Sequence, residues 1–95
     1  MNFASLAQQE YDDAVNWYDG QMLGLGERFR VEVEHGMARI AAHPQAWPVE
    51  RDEVRKYLLH RFPYKLLYAI ELWQGVMLAV AHRHRRPDYW VDRSA

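Results

Sequence analysis

Two histidines and three arginines stand within five residues of the chain, His82-Arg83-His84-Arg85-Arg86, with Tyr89 and Trp90 just beyond Pro87. These are the residue types that metal-independent RNA cleavage requires. A base takes the proton of the 2′-hydroxyl, an acid protonates the leaving oxygen, and fixed positive charge stabilises the charge that builds on the phosphate. His82 or His84 could act as base or acid near neutral pH. Arg83, Arg85 and Arg86 offer bidentate contacts to a phosphate, and equally to a protein carboxylate. Tyr89 could donate a proton or stack on a base. Arg55, Arg61 and Lys65 could add charge from neighbouring strands.

The elements that carry these groups weigh one role against another. Val76–His82 reads as a strand with Val76, Leu78 and Val80 inward, so His82 continues the inward face while Arg83 and Arg85 continue the outward one. His82 is then a half-buried histidine that holds the C-terminal turn in preference to a catalytic one. His84 lies past the regular strand, where parity assigns it no side. Tyr89 and Trp90 are expected to pack on the sheet edge, and Arg61-Phe62-Pro63-Tyr64 to form a structural turn. Arg55 and Arg85, read as outward arginines with little structural need, are the strongest functional candidates. His35, His43 and His60 lack metal-ligand spacing, and neither a metal nor a cofactor is expected.

Behind that cluster the chain reads as an α+β domain of two layers spanning residues 1–95. Asn2–Phe3 is a very short opening strand. A first helix begins at Ser5, where Ser5-Leu6-Ala7-Gln8 fits a capping box. Its apolar stripe is Ala7, Tyr11, Ala14 and Tyr18, with Val15 and Trp17 alongside. Residues 25–42 form a second helix on Leu25, Phe29, Val33, Met37 and Ile40, with Arg28–Glu32 and Arg30–Glu34 available as i,i+4 pairs. Gly36 is a site of close packing against the first helix. Pro44 ends the second helix. Residues 44–53 read as a loop. Val54–His60, Tyr64–Leu72 and Val76–His82 then form an antiparallel meander, with Gln74–Gly75 as the last turn and Leu58, Leu66, Ile70, Leu78 and Val80 facing the helices.

Composition bounds the rest. The chain has 95 residues and no cysteine, so disulfides and thiolate metal sites are excluded. The opening MNFASLAQQEY has no basic n-region, and no apolar run nears the ~20 residues of a membrane helix. A soluble cytoplasmic protein is expected. Charge is divided unevenly: residues 1–50 carry three Arg against eight acids, and residues 51–95 carry nine Lys+Arg against five acids, so −5 and +4 give the net −1. A basic half suits a phosphate or an acidic partner, whereas a protein living on phosphate contacts alone is usually basic overall. The two halves attracting each other explains the same asymmetry.

Several stretches taken together resemble the RelE/ParE superfamily of bacterial type II toxin–antitoxin toxins, in its plasmid-stabilisation branch. They are Ala7, Glu10, Ala14 and Trp17-Tyr18; Leu23-Gly24-Leu25-Gly26 with Phe29; Ile40 to Pro44; Arg55; Arg61-Phe62-Pro63-Tyr64; Tyr68; and Ala79-Val80-Ala81-His82 with Arg85-Arg86-Pro87 and Tyr89-Trp90. The similarity spans almost the whole chain. It implies a helical hairpin packed on a small antiparallel sheet of three to four strands. It implies a growth-arresting toxin, neutralised in a hetero-oligomer by a cognate antitoxin whose C-terminal segment wraps it. It also implies a target, either DNA gyrase for ParE-like members or messenger RNA in the ribosome for RelE-like ones. The low overall basicity favours the protein target slightly, and an inactive antitoxin-binding module is a further alternative.

Overall fold

Each helix is built on the stripe that its spacing predicts, and one further contact sets how the two meet. A computed structural model describes residues 1–93. In it α1 runs Ser5–Gln21 and α2 runs Leu25–Ala42. Ala7, Tyr11, Ala14, Val15 and Tyr18 of α1 are buried, as are Phe29, Val33 and Ile40 of α2. The hairpin turns at Gly24, whose φ of 86° suits glycine. Gly26 follows, where a Cβ would lie 2.5 Å from the Val15 carbonyl oxygen. This close approach lets Asp19 of α1 accept from the Gly26 N–H at 2.8 Å, so a carboxylate from one helix caps the next.

Four helix expectations are corrected. The N-cap of α1 is Ala4, with no side-chain cap, so the capping box does not form. Residue 4 is fixed from outside, because its N–H donates to the Met77 carbonyl of the last strand. Trp17 is 58% exposed rather than part of the core. Gly36 packs on the sheet, where a Cβ would meet the Tyr57 ring at 2.8 Å, and not on α1. Among the described residues Arg30 pairs with Glu27 at 3.4 Å. Glu32 instead accepts from the backbone N–H groups of His60 and Arg61. A carboxylate near two unpaired turn donors gains more there than from an exposed i,i+4 pair.

The sheet has five strands in the order β1-β5-β4-β3-β2, where β1 is Asn2–Phe3, β2 Val49–Arg51, β3 Val54–Leu58, β4 Tyr64–Glu71 and β5 Gln74–His82. It is mixed: β1 is parallel to β5 and the other pairs are antiparallel. The α+β hairpin-on-sheet architecture therefore stands, and the count of three to four antiparallel strands is corrected. β2 arises inside the segment expected to be a loop. Its three residues, too few to stand out as a strand in the sequence, are recruited by pairing with β3.

The β4–β5 turn is also displaced. Glu71 pairs with Gln74, so the turn residues are Leu72 and Trp73, with φ of 50° and 67°. Two positive φ values define the tight hairpin turn that usually takes Asn-Gly, and each costs a bulky residue about 1–2 kcal/mol. Gly75 is not the turn residue but a point of close approach, with a built Cβ 3.1 Å from the Met1 side chain.

Register assigns the faces. Tyr57, Leu66 and Val80 are opposite one another, as are Tyr64 and His82, and Gly36 of α2 rests on Tyr57 and Leu66. That is the helix-facing side. A bulge at Leu78 then shifts β5 by one residue, so Arg55, Tyr68 and Met77 line up on this side too. Leu58, next to Tyr57, falls on the other face and is exposed, and Ile70 is exposed near the hairpin tip. Neither packs under the helices as expected. The segment after β5 is tied to both edges of the sheet: Asp88 pairs with Arg51 of β2 at 3.0 Å, and Arg93 donates to the Leu78 carbonyl of β5 at 3.2 Å. Trp90 of this segment is buried in the same core as Leu67 and Ala79. Among the described residues no helix is long and apolar enough to cross a membrane.

Candidate functional site

The outer edge of β5 organises the C-terminal cluster. β1 pairs only with Val76 and Met77, so the backbone groups of Leu78 and Val80 on that edge need other partners. Glu10 of α1 supplies one. Its Oε1 accepts from the Val80 N–H at 3.0 Å and from Arg93 Nη1 at 2.7 Å. Its Oε2 accepts from the Tyr89 hydroxyl at 2.7 Å and from Arg93 Nη2 at 3.0 Å. The carboxylate thus receives four hydrogen bonds, two of them as a bidentate guanidinium pair. The side chains of Glu10 and Arg93 are only 16% and 12% exposed, so the pair is largely desolvated and each member depends on the other.

Tyr89 is bound into this network. The Arg85 guanidinium lies 3.9 Å and that of Arg93 4.8 Å from its ring centroid. Burial, and then the Glu10 carboxylate that it donates to, push the Tyr89 hydroxyl well above the ordinary tyrosine range. Its proton is held by Glu10 and is poorly placed to protonate a leaving group. The hydrogen bond to Glu10 likewise raises Arg93, against the opposing effect of burial. Arg85 also approaches Glu10, at 4.0 Å, with its side chain half exposed. Ser5, Arg85, Arg86, Tyr89 and Arg93 border a hollow of about 550 Å³ beside the start of α1.

The remaining candidates are distributed around the fold. Arg55 does not face outward, as its strand parity suggested. It lies on the helix-facing side, where Nη1 donates to the Trp47 carbonyl at 2.7 Å and ties down the loop after α2. The Tyr68 hydroxyl, opposite it, does the same for the Pro44 carbonyl at 2.7 Å. Lys65 is on the opposite face, paired with Glu50 at 2.9 Å. His82 is half-buried against Tyr64, and its Nδ1 accepts from the His84 N–H at 3.1 Å, which fixes the turn as expected. The His84 ring lies 5.2 Å from that of His82. Arg83 spends one donor on the Leu59 carbonyl at 3.1 Å. In the turn before β4, Phe62 packs edge-on to Tyr18 and Phe29, leaving Arg61 exposed. Trp90 is core.

Arg55 therefore does not join Arg85, His84 and Tyr89. What the structure brings together is Arg85, Tyr89 and Arg93 around Glu10, with His84 and Arg86 exposed nearby. Glu10 and Arg93 are the two participants that reading the sequence did not single out as site residues. The charge imbalance between the halves was their signal: acids of the first half, Glu10 and Glu50, meet bases of the second, Arg93, Lys65 and Lys56. Among the described residues no three His, Asp or Glu side chains converge as a metal ion would need. No protein-family model matches the chain, and no curated protein matches it.

Proposed function

We propose that the chain is the toxin of a type II toxin–antitoxin pair and arrests growth by binding a protein target, with DNA gyrase the target favoured. The rim that would act is His84, Arg85 and Arg86, exposed at the end of β5. A cognate antitoxin would cover it with carboxylates. The observation that carries binding over catalysis is the commitment of Tyr89 to Glu10. A phenol held by a carboxylate, with its pKa raised, makes a poor general acid, and Arg55 is engaged elsewhere. The resemblance of the motifs to the RelE/ParE superfamily, and the hairpin-on-sheet fold, support the toxin class.

The second reading is RelE-like cleavage of messenger RNA in the ribosome. The neighbouring rings of His82 and His84 favour it, since two imidazoles could share base and acid roles. Inducible expression, with RNA and DNA read out together, separates the readings. Arrest with intact transcripts and broken or unreplicated DNA is expected. Arrest should be lost when Arg85 and Arg86 are both replaced by Ala, and relieved by the antitoxin. Transcripts cut at the ribosomal A site would replace the gyrase reading with the nuclease one. Soluble, folded protein without any growth effect would overturn the toxin reading and leave an inactive antitoxin-binding module.

A further inference from the structure

Two unsatisfied features lie at opposite ends of the sheet. At one end, the turn between β4 and β5 presents Leu72 at 95% and Trp73 at 100% exposure. Both residues are held at positive φ, where Asn-Gly would serve a turn better. Exposed Ile70 and Glu71 precede them. This is a convex apolar knob carrying one acid. At the other end, beyond the start of β4, a groove of about 1040 Å³ lies between α2 and the β3–β4 connection. Tyr18, Leu25, Val31, Tyr57, Phe62 and Pro63 give it an apolar floor, and Arg28, Arg61, Glu27 and Glu32 also line it. Glu27 is paired with Arg30, and Glu32 accepts from the His60 and Arg61 N–H groups, which leaves Arg28 and Arg61 as unpaired charges there. Among the described residues neither arginine has a carboxylate within ion-pair distance, and neither does Glu71 a cation.

We propose that the groove receives the Leu72–Trp73 tip of a second copy of this chain, with Glu71 of the tip set against Arg28 and Arg61 of the groove. Shape and charge agree: a knob that needs a pocket and an acid that needs a base meet a pocket and bases that need the converse. β4 runs from the groove end to the tip end. Two copies side by side and antiparallel therefore bring each tip to the other's groove, which closes the assembly as a two-fold dimer. A single insertion of one Leu and one Trp buries roughly 400 Å² on each side. Two insertions give about 1600 Å² in all, the size of a standard specific interface, whereas one alone falls in the range of weak contacts. This assignment does not depend on the toxin reading.

Sedimentation velocity on the full chain tests it. The expected result is a dimer at tens of micromolar that dissociates on dilution. The variant Leu72→Asn with Trp73→Gly puts suitable residues in the turn, so it should fold and melt no lower than the parent, yet sediment as a monomer at the same concentration. Glu71→Ala alone, and Arg28→Ala with Arg61→Ala, should each weaken dimerisation about threefold. The two sets combined should weaken it no further than either, as for partners in one contact. A parent chain that is monomeric at 100 µM overturns the proposal and assigns the tip to a different protein. A dimer that persists without the tip overturns it as well, as does strict additivity of the charge changes for the ion pair.

Discussion

The β5 rim and the β4–β5 tip present opposite balances of chemistry and satisfaction. The rim has the residues that look reactive, His82, His84, Tyr89 and the arginines, yet several of them are engaged within the fold: Glu10 holds Tyr89 and Arg93, the Leu59 carbonyl takes one Arg83 donor, and His82 Nδ1 accepts from the His84 N–H. The tip has two plain apolar residues with no partner at all, in a backbone conformation that disfavours them. Residue type alone therefore ranks the two regions the wrong way round. What a group can do for a partner depends on what the fold has left it free to do. At the rim Arg83, His84, Arg85 and Arg86 are exposed, and of these Arg83 already donates to the Leu59 carbonyl.

The sharpest way to break this comparison is at Glu10. Glu10→Ala leaves the largely buried Arg93 without its carboxylate and frees the Val80 N–H and Tyr89 hydroxyl, so unfolding should become easier by roughly 3–5 kcal/mol. For a domain of this size that lowers Tm by more than 10 °C, measured by calorimetry. If the melting point barely moved, the rim would be a surface cluster and open to catalysis after all. Next comes Gly36→Ala, which drives a methyl against the Tyr57 ring. It should cost about 1–3 kcal/mol in denaturant unfolding.

Arg55→Ala removes one hydrogen bond to the loop after α2 and should cost about 1 kcal/mol, while leaving growth arrest intact. Loss of arrest in a folded Arg55→Ala protein would return this residue to the functional surface. At the tip, Leu72→Asn with Trp73→Gly should leave Tm unchanged or raise it, because the strain is relieved. A lower Tm would mean that the tip has a structural role within the monomer.

The smallest effect is in alkaline pH. The Tyr89 hydroxyl is raised in the folded chain, so its contribution to stability is complete below the unfolded tyrosine value of about 10. It is lost as pH rises from there toward the folded value. Tyr11, Tyr18, Tyr64 and Tyr68 are raised in the same direction, each chiefly by burial. Tyr89→Phe should therefore lessen, without abolishing, the decline of Tm above pH 10.

Local pattern reached far in this chain. Helical spacing of Ala7, Tyr11, Ala14 and Tyr18, and of Phe29, Val33 and Ile40, set both helices and their buried faces. Alternation put Leu66 of β4 and Val80 of β5 on the helix-facing side, and His82 with them, where Tyr64 meets it, but it misplaced Leu58 of β3 and Ile70 of β4, which are exposed. Pro44 ended α2 after Ala42. These features follow from sequence because each depends on residues within a turn or a strand of one another.

Tertiary structure decided what depends on distant partners. β1 is two residues long and exists because β5, more than 70 positions away, offers an edge for it. β2 exists because β3 pairs with it. The bulge at Leu78 reset the register that assigns Met77 to the helix side, and pairing across β3 and β4 put Arg55 there as well. Glu10 became the centre of the rim because the part of β5 left bare by so short a β1 needed an acceptor, and α1 carried a carboxylate past it. Register and edge satisfaction are properties of the assembled sheet. They settle which of the reactive residue types remain free, and no reading of the C-terminal cluster by itself could assign that.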